Sequence, residues 1–193
     1  MQIEYEATFE KIDKDEMRER LKNTGAKLVR PEFLSRRVTL NLPSGHEIPN
    51  AWIRVRDNGQ KITQTLKIVA NGKIDNQQEL EVKVDDFEKT IEFLEKIGCL
   101  KKSYQETKRE KWELNDVEVT IDEWPFLEPF VEIEGKNENE VRKISEKLGF
   151  DWRKALFCAI GHLYERKYRI PENKFNNDFT KIVFEMENPF KNF

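Results

Sequence analysis

The chain has 193 residues, 37% of them apolar and 37% charged, with a formal net charge of −3. That length suits one domain with a sizeable core, and thirteen Phe and four Trp supply enough area for burial to exclude a disordered chain. With both signs interspersed, nothing in the overall field points to a nucleic acid or a membrane as partner, so an anion would have to be held by a local cluster.

Met1 to Glu10 carry three glutamates and no apolar run, so no signal peptide is expected, and no segment approaches the ~20 apolar residues of a membrane span. A cytoplasmic protein is the expectation. Cys99 and Cys158 read as reduced packing residues, and His46 and His162 are isolated, so zinc and Cys-His nucleophile chemistry are set aside.

The first alternating segment, Ile3–Phe9, reads as a strand. A helix follows from Asp13, with Glu16 at capping-box spacing, to Thr24 and Gly25. Strands are then expected over Arg36–Leu42, Ala51–Arg56, Ile62–Val69 and Gln77–Val84. Asn58-Gly59 and Asn71-Gly72 are hairpin signals that make the sheet largely antiparallel. A second helix opens at Asp85 or Asp86, carries Phe87, Ile91, Leu94 and Ile97 on one stripe, and closes at Gly98. Strands over Ser103–Leu114, Val117–Trp124 and Phe130–Glu134 come next, then a helix from Asn137 to Gly149. Leu156 to Arg169 reads as a fourth helix. The last stretch, from Pro171 on, lacks a clear period and is assigned to a C-terminal extension (171–193) beside the main domain (1–170).

Splitting each strand by its period of two exposes the informative pattern. Glu4, Glu6 and Thr8 share a face, as do Arg37 and Thr39, Arg54 and Arg56 (with Trp52), and Thr65 and Lys67. Glu79 and Glu81, Thr107, Arg109 and Lys111, Glu118 and Asp122, and Glu132 and Glu134 continue the pattern. An open sheet with one face in water explains each strand singly. It explains less well why both signs recur at nearly every strand. Eight strands suffice to close a sheet, and in a closed one these charges face a lumen that must hold water, ions and ligand, because burying a dozen ions dry would exceed a domain's ~5–15 kcal/mol of stability. Carboxylates suit a hard cation such as Mg²⁺ or Mn²⁺, and arginines suit phosphate oxygens. A polyphosphate bridging the two sets satisfies both. No glycine-rich phosphate loop is present, so side chains must hold the phosphates.

Over roughly Met1 to Tyr168 these residues resemble the CYTH family, the triphosphate tunnel metalloenzymes, which include class IV adenylate cyclases, thiamine triphosphatases and inorganic triphosphatases. Glu4-Tyr5-Glu6-Ala7-Thr8 is similar to its Glu-x-Glu-x-Lys strand, with Thr8 in place of Lys. Trp52-Ile53-Arg54-Val55-Arg56 is similar to its Leu-Arg-x-Arg strand, and Ile62–Lys67 ends on its lysine position. Asn76–Glu81 resembles its Arg-x-Glu-x-Glu strand, and Lys108-Arg109-Glu110-Lys111-Trp112 its Lys-x-Arg strand, with Thr107 at the lysine place. Phe130-Val131-Glu132-Ile133-Glu134 is the most specific match.

The resemblance implies an α+β fold: a closed, eight-stranded, mainly antiparallel β-tunnel with a charged lumen and helices outside. It implies Mg²⁺ or Mn²⁺ held by Glu4, Glu6, Asp122, Glu132 and Glu134, with Glu4 and Glu6 also the catalytic candidates. Arg37, Arg54, Arg56, Lys67 and Arg109 would bind a triphosphate, whether tripolyphosphate, a nucleoside triphosphate or thiamine triphosphate. Its implied activity is metal-dependent triphosphate hydrolysis. Cyclisation of ATP and binding without turnover are the alternatives, the last favoured by Thr8 and Thr107.

Overall fold

A computed structural model describes residues 1–70 and 72–191. Its elements run β1 (Gln2–Phe9), α1 (Lys14–Asn23), β2 (Lys27–Asn41), β3 (Ala51–Asp57), β4 (Ile62–Val69), β5 (Gln77–Val84), α2 (Phe87–Lys96), β6 (Leu100–Leu114), β7 (Val117–Glu123), β8 (Phe130–Gly135), α3 (Glu138–Lys147), α4 (Ile160–Tyr168), α5 (Glu172–Asp178) and β9 (Lys181–Ile182).

The sheet order is β2-β3-β4-β5-β1-β8-β7-β6, and β6 pairs back onto β2, which closes eight antiparallel strands into a barrel. The short β9 adds to β6 in parallel. Local chemistry accounts for the element ends. Asp13, Asp86 and Asn137 each accept a hydrogen bond from the backbone N–H three residues on (Glu16, Lys89 and Glu140), capping α1, α2 and α3. Asn115 and Asp116 both take positive φ, 53° and 61°, as the tight hairpin between β6 and β7 demands. Asn71, half of the expected Asn71-Gly72 turn, lies outside the described residues.

The apolar core lies outside the barrel, between the outward faces of the strands and the helices. Ala7, Trp112, Val119, Ile121, Val131 and Ile133 meet Met17 and Leu21 of α1 and Val141, Ile144 and Leu148 of α3. Val38, Leu40 and Val55 meet Phe87, Ile91 and Leu94 of α2. Each such burial stabilises by about 1.5–3 kcal/mol. The inward positions are thereby left to polar groups.

Two expectations are corrected, and the C-terminal stretch, which has no clear period, acquires structure. β2 begins at Lys27, not Arg36, and crosses Pro31, with breaks in its pairing to β6 between Leu28 and Arg30 and between Arg30 and Phe33. The fourth helix begins at Ile160, not Leu156, because Leu156 instead forms an isolated bridge with Thr8, exchanging backbone hydrogen bonds of 2.9 and 3.0 Å. The segment after Pro171 forms α5 and β9, and Phe175, Ile182 and Phe190 are almost wholly buried against Trp124, Phe130 and Tyr164.

Candidate active site

The inward face of the barrel encloses a cavity of about 180 Å³. Glu4 and Glu6 reach it from β1, Arg37 from β2, Arg54 and Arg56 from β3, and Lys67 from β4. Glu79 comes from β5, Arg109 and Lys111 from β6, Glu118 from β7, and Glu132 and Glu134 from β8. Of the ten residues singled out from the sequence only Asp122 stands apart from the lining. It is fully buried, and its two oxygens accept from Arg109 Nε at 2.7 Å and Thr120 Oγ1 at 2.5 Å. Its place is behind Arg109, which it orients.

Several cations are already neutralised. Lys67 Nζ lies 2.7 Å from Glu79 and 3.1 Å from Glu4, and Arg54 lies 3.3 Å from Glu79. Arg109 pairs with Asp122 at 2.7 Å and Glu132 at 2.5 Å, and Lys111 with Glu118 at 2.6 Å. Burial opposes ionisation of Glu79, yet Arg54 and Lys67 hold it down to about 2. Burial likewise opposes the charge of Arg109, and Asp122 and Glu132 push it well above the usual range.

Other charges are set against their own kind. The sheet register places Glu6 directly opposite Glu134, and Glu134 directly opposite Glu118, giving a row of carboxylates across β1, β8 and β7. On the other side, Arg37 lies opposite Arg56. Like charges in directly opposed positions destabilise a sheet. The ionisation equilibria record the strain. Burial, then Glu132, Glu134 and Glu4, push Glu6 well above the carboxylate range, although Lys67 opposes this. Burial, then Glu4 and Glu118, raise Glu134 to about 7. Glu4 and Glu132 are raised too, chiefly by burial. Arg54, then burial, lowers Arg56 to about 10, while burial and the guanidiniums of Arg54, Arg56 and Arg109 depress Arg37 well below its usual value.

Such an interior is short of a cation on one wall and of an anion on the other. The residues of the matching family extend well beyond that pattern: the CYTH domain matches residues 2–156. The chain belongs to the CYTH domain family. A Methanocaldococcus jannaschii protein, whose name carries a provisional assignment as an adenylate cyclase, is 27% identical over 169 residues, covering 86% of this chain and 96% of that protein. A conserved hypothetical protein from Pyrococcus furiosus superposes with a TM-score of 0.69 at 20% identity, over 83% of this CYTH chain and 99% of the other. The Hippeastrum protein HpAC1, described as having a dominant triphosphatase activity, superposes with a TM-score of 0.58 at 9% identity, over 88% and 99%. These two likenesses show the shared tunnel fold.

Sequence reasoning left unassigned several residues that bear on the site. Glu79, the shared partner of Lys67 and Arg54, had its signal in the alternation of β5. Trp124, beneath Arg37 at 4.2 Å, and Gln105, which accepts from Arg37 Nε at 2.8 Å, had none. Thr107 lines the cavity, whereas Thr8 is buried beside the Leu156 bridge and opposite Glu132. Outside the lumen, His162, Glu165 and Glu172 bring ligand atoms within 4.8 Å of one another. No helix among the described residues is long and apolar enough to cross a membrane.

Proposed function

We propose that this CYTH tunnel binds a triphosphate together with a divalent cation and hydrolyses it. The observation that carries the reading is the pair of like-charged rows, Glu6–Glu134–Glu118 on one wall and Arg37–Arg56 on the other. Glu118 and Arg56 have partners in Lys111 and Glu81, but among the described residues Glu6, Glu134 and Arg37 form no ion pair, and their charges would be relieved by a bound cation and anion. The chemistry of the acid row fits Mg²⁺ or Mn²⁺, which take carboxylate oxygens and keep positions for phosphate. Glu4, Glu6, Glu132 and Glu134 would hold it. When bound, the cation would neutralise charge on the phosphate oxygens and on the oxygen that leaves.

The chain's own residues do the rest. Arg37 and Arg56 bind phosphate oxygens through their planar forks, and Arg54 and Lys67 join them when Glu4 and Glu79 exchange partners. Arg109, held from behind by Asp122, keeps one orientation toward the lumen. Glu6 and Glu134 form no ion pair among the described residues, and Glu6, which accepts only from Gln77 Nε2 at 3.4 Å, is assigned to orient a water and take its proton. Attack on the terminal phosphorus then breaks the bridging P–O bond, releasing phosphate and a diphosphate. Positioning and fixed charge carry most of the rate.

Binding without turnover is a second reading, favoured by Thr107, which presents a hydroxyl to the cavity rather than a cation. Cyclisation of ATP to cyclic AMP is a third, in keeping with the name of the M. jannaschii relative. Incubation of the purified protein with tripolyphosphate, ATP and thiamine triphosphate, with Mg²⁺ or Mn²⁺, separates the three. Free phosphate is the expected product; cyclic AMP with pyrophosphate, or binding without products, would replace this reading by one of the others. The two buried free cysteines accord with a reducing cytoplasmic location.

A further inference from the structure

Arg37 differs from the other lumen cations in how it is held. Arg54, Arg56, Lys67, Arg109 and Lys111 each meet a carboxylate, but among the described residues Arg37 forms no ion pair. Its Nε donates to Gln105 Oε1 at 2.8 Å, and its guanidinium carbon lies 4.2 Å from the centre of the Trp124 ring. Both partners are neutral, so they fix its direction without cancelling its charge.

Both partners are also tied to the end of the chain. Gln105 lies in register with Ile182 of β9; on either side of it Tyr104 N donates to Thr180 O at 2.9 Å and Glu106 Oε2 accepts from Phe184 N at 3.2 Å. Trp124 meets Tyr164 edge-on at 6.5 Å, and Tyr164 stacks on Phe175 at 4.2 Å and packs on Phe190 at 5.0 Å. The Tyr164 hydroxyl donates to the carbonyl of Pro125, the residue after Trp124, at 2.7 Å. The stretch from Glu172 to Phe190 thus pairs with the part of β6 that carries Gln105 and, through Tyr164 of α4, backs Trp124.

We infer that the C-terminal stretch is a positioning element of the binding site: through Gln105 and Trp124 it holds the Arg37 guanidinium toward the lumen, ready for an anion. The inference rests on the proposed function for the nature of that anion. Its physical basis is preorganisation. A long arginine side chain loses rotamer freedom when it engages a phosphate, and a side chain already clamped loses less. A tail that only fills the core would stabilise the fold, and changes in it would alter anion affinity equally with and without Arg37.

The test uses the full-length chain with Trp124→Leu, Trp124→Phe and Phe190→Leu, each alone and combined with Arg37→Gln. Tripolyphosphate affinity in Mg²⁺ is measured by calorimetry, and the order of the Arg37 Nε–H by ¹⁵N relaxation in the anion-free protein. Trp124→Leu should weaken binding about fivefold to tenfold and Phe190→Leu about threefold, while Trp124→Phe, which keeps an aromatic face, should stay within about twofold. With Arg37→Gln all three effects should fall within about twofold, and Arg37 Nε should lose order in Trp124→Leu. Equal losses in both backgrounds, or an Arg37 Nε that stays rigid in Trp124→Leu and Phe190→Leu, would overturn the inference. A wild-type protein that binds no tripolyphosphate would overturn the functional reading instead, and the relaxation measurement would still decide whether the tail orders Arg37. Should Trp124→Leu fail to fold, Phe190→Leu carries the same comparison.

Discussion

Glu79 shows how much one inward side chain is asked to do. It neutralises both Lys67 and Arg54 at a nearly buried position. Its folded pKa, about 2, lies below the unfolded value, so its contribution to stability is present above about pH 4 and is lost as the pH falls through 2. Glu79→Gln should therefore cost about 2–4 kcal/mol at pH 7, since it leaves two buried cations short of a partner. Denaturant unfolding of both proteins should show that gap narrowing below about pH 4; a constant gap would mean that packing, not charge, is at stake. Thr107 sits at the opposite extreme, a cavity-lining hydroxyl two residues before Arg109 on β6. Thr107→Lys is expected to act with opposite signs, lowering the melting temperature of the anion-free protein and tightening tripolyphosphate binding about tenfold through one charge-assisted hydrogen bond. Thermal unfolding and calorimetry on the same preparation check both signs. Thr8 is the poorer site for such a change, because it is buried and its backbone is committed to Leu156.

Elements were legible in the sequence where local chemistry and periodicity agree. The caps at Asp13, Asp86 and Asn137 and the alternation of β3, β4, β5, β7 and β8 carry their own signals, and those strands differ from expectation by at most one residue at an end. Where tertiary pairing overrides local preference the reading failed. Lys27–Phe33 includes a proline and alternates poorly, yet it is a strand because β6, some eighty residues away, supplies its partner. Leu156 has a helical pattern behind it but spends its backbone on Thr8. The C-terminal stretch has no period at all, since its aromatics are gathered by Tyr164 rather than by a helix or sheet face. Burial of Phe175, Ile182 and Phe190 should nonetheless stabilise by about 4–9 kcal/mol together, comparable with the whole stability of a small domain. A chain ending at Pro171 is expected to lose its cooperative melting transition, monitored by circular dichroism; an unchanged melt would mean that the aromatic cluster contributes little.

At the scale of the molecule, a net charge of −3 conceals a strongly divided interior. The fold places the carboxylates of β1, β7 and β8 across from the guanidiniums of β2 and β3, and the face of each strand that carries them was readable from its period of two. What no single strand shows is register. Strand pairing sets Glu6 against Glu134 and Arg37 against Arg56, and closure of the barrel brings both pairs to one lumen, where the proposed metal and triphosphate would relieve them. Metal and triphosphate should therefore stabilise the protein more together than the sum of each alone. At about a hundred times its dissociation constant a ligand adds ~2.7 kcal/mol, a shift of several degrees that differential scanning fluorimetry resolves.

The most direct measurement is a calorimetric titration of tripolyphosphate into the wild type and the Glu132→Gln/Glu134→Gln variant, in Mg²⁺ and in EDTA. The double variant keeps the shape of both side chains: Glu132→Gln removes one of the two carboxylates on Arg109 but leaves Asp122, so the protein should fold, and in EDTA above about pH 7 Glu134→Gln should offset part of that loss, because Glu134 loses its stabilising proton as the pH rises through about 7. The account predicts saturable one-site binding to the wild type in Mg²⁺, at least tenfold weaker in EDTA, and no Mg²⁺-dependent gain in the variant. Equal Mg²⁺-dependent affinity for both proteins would contradict it.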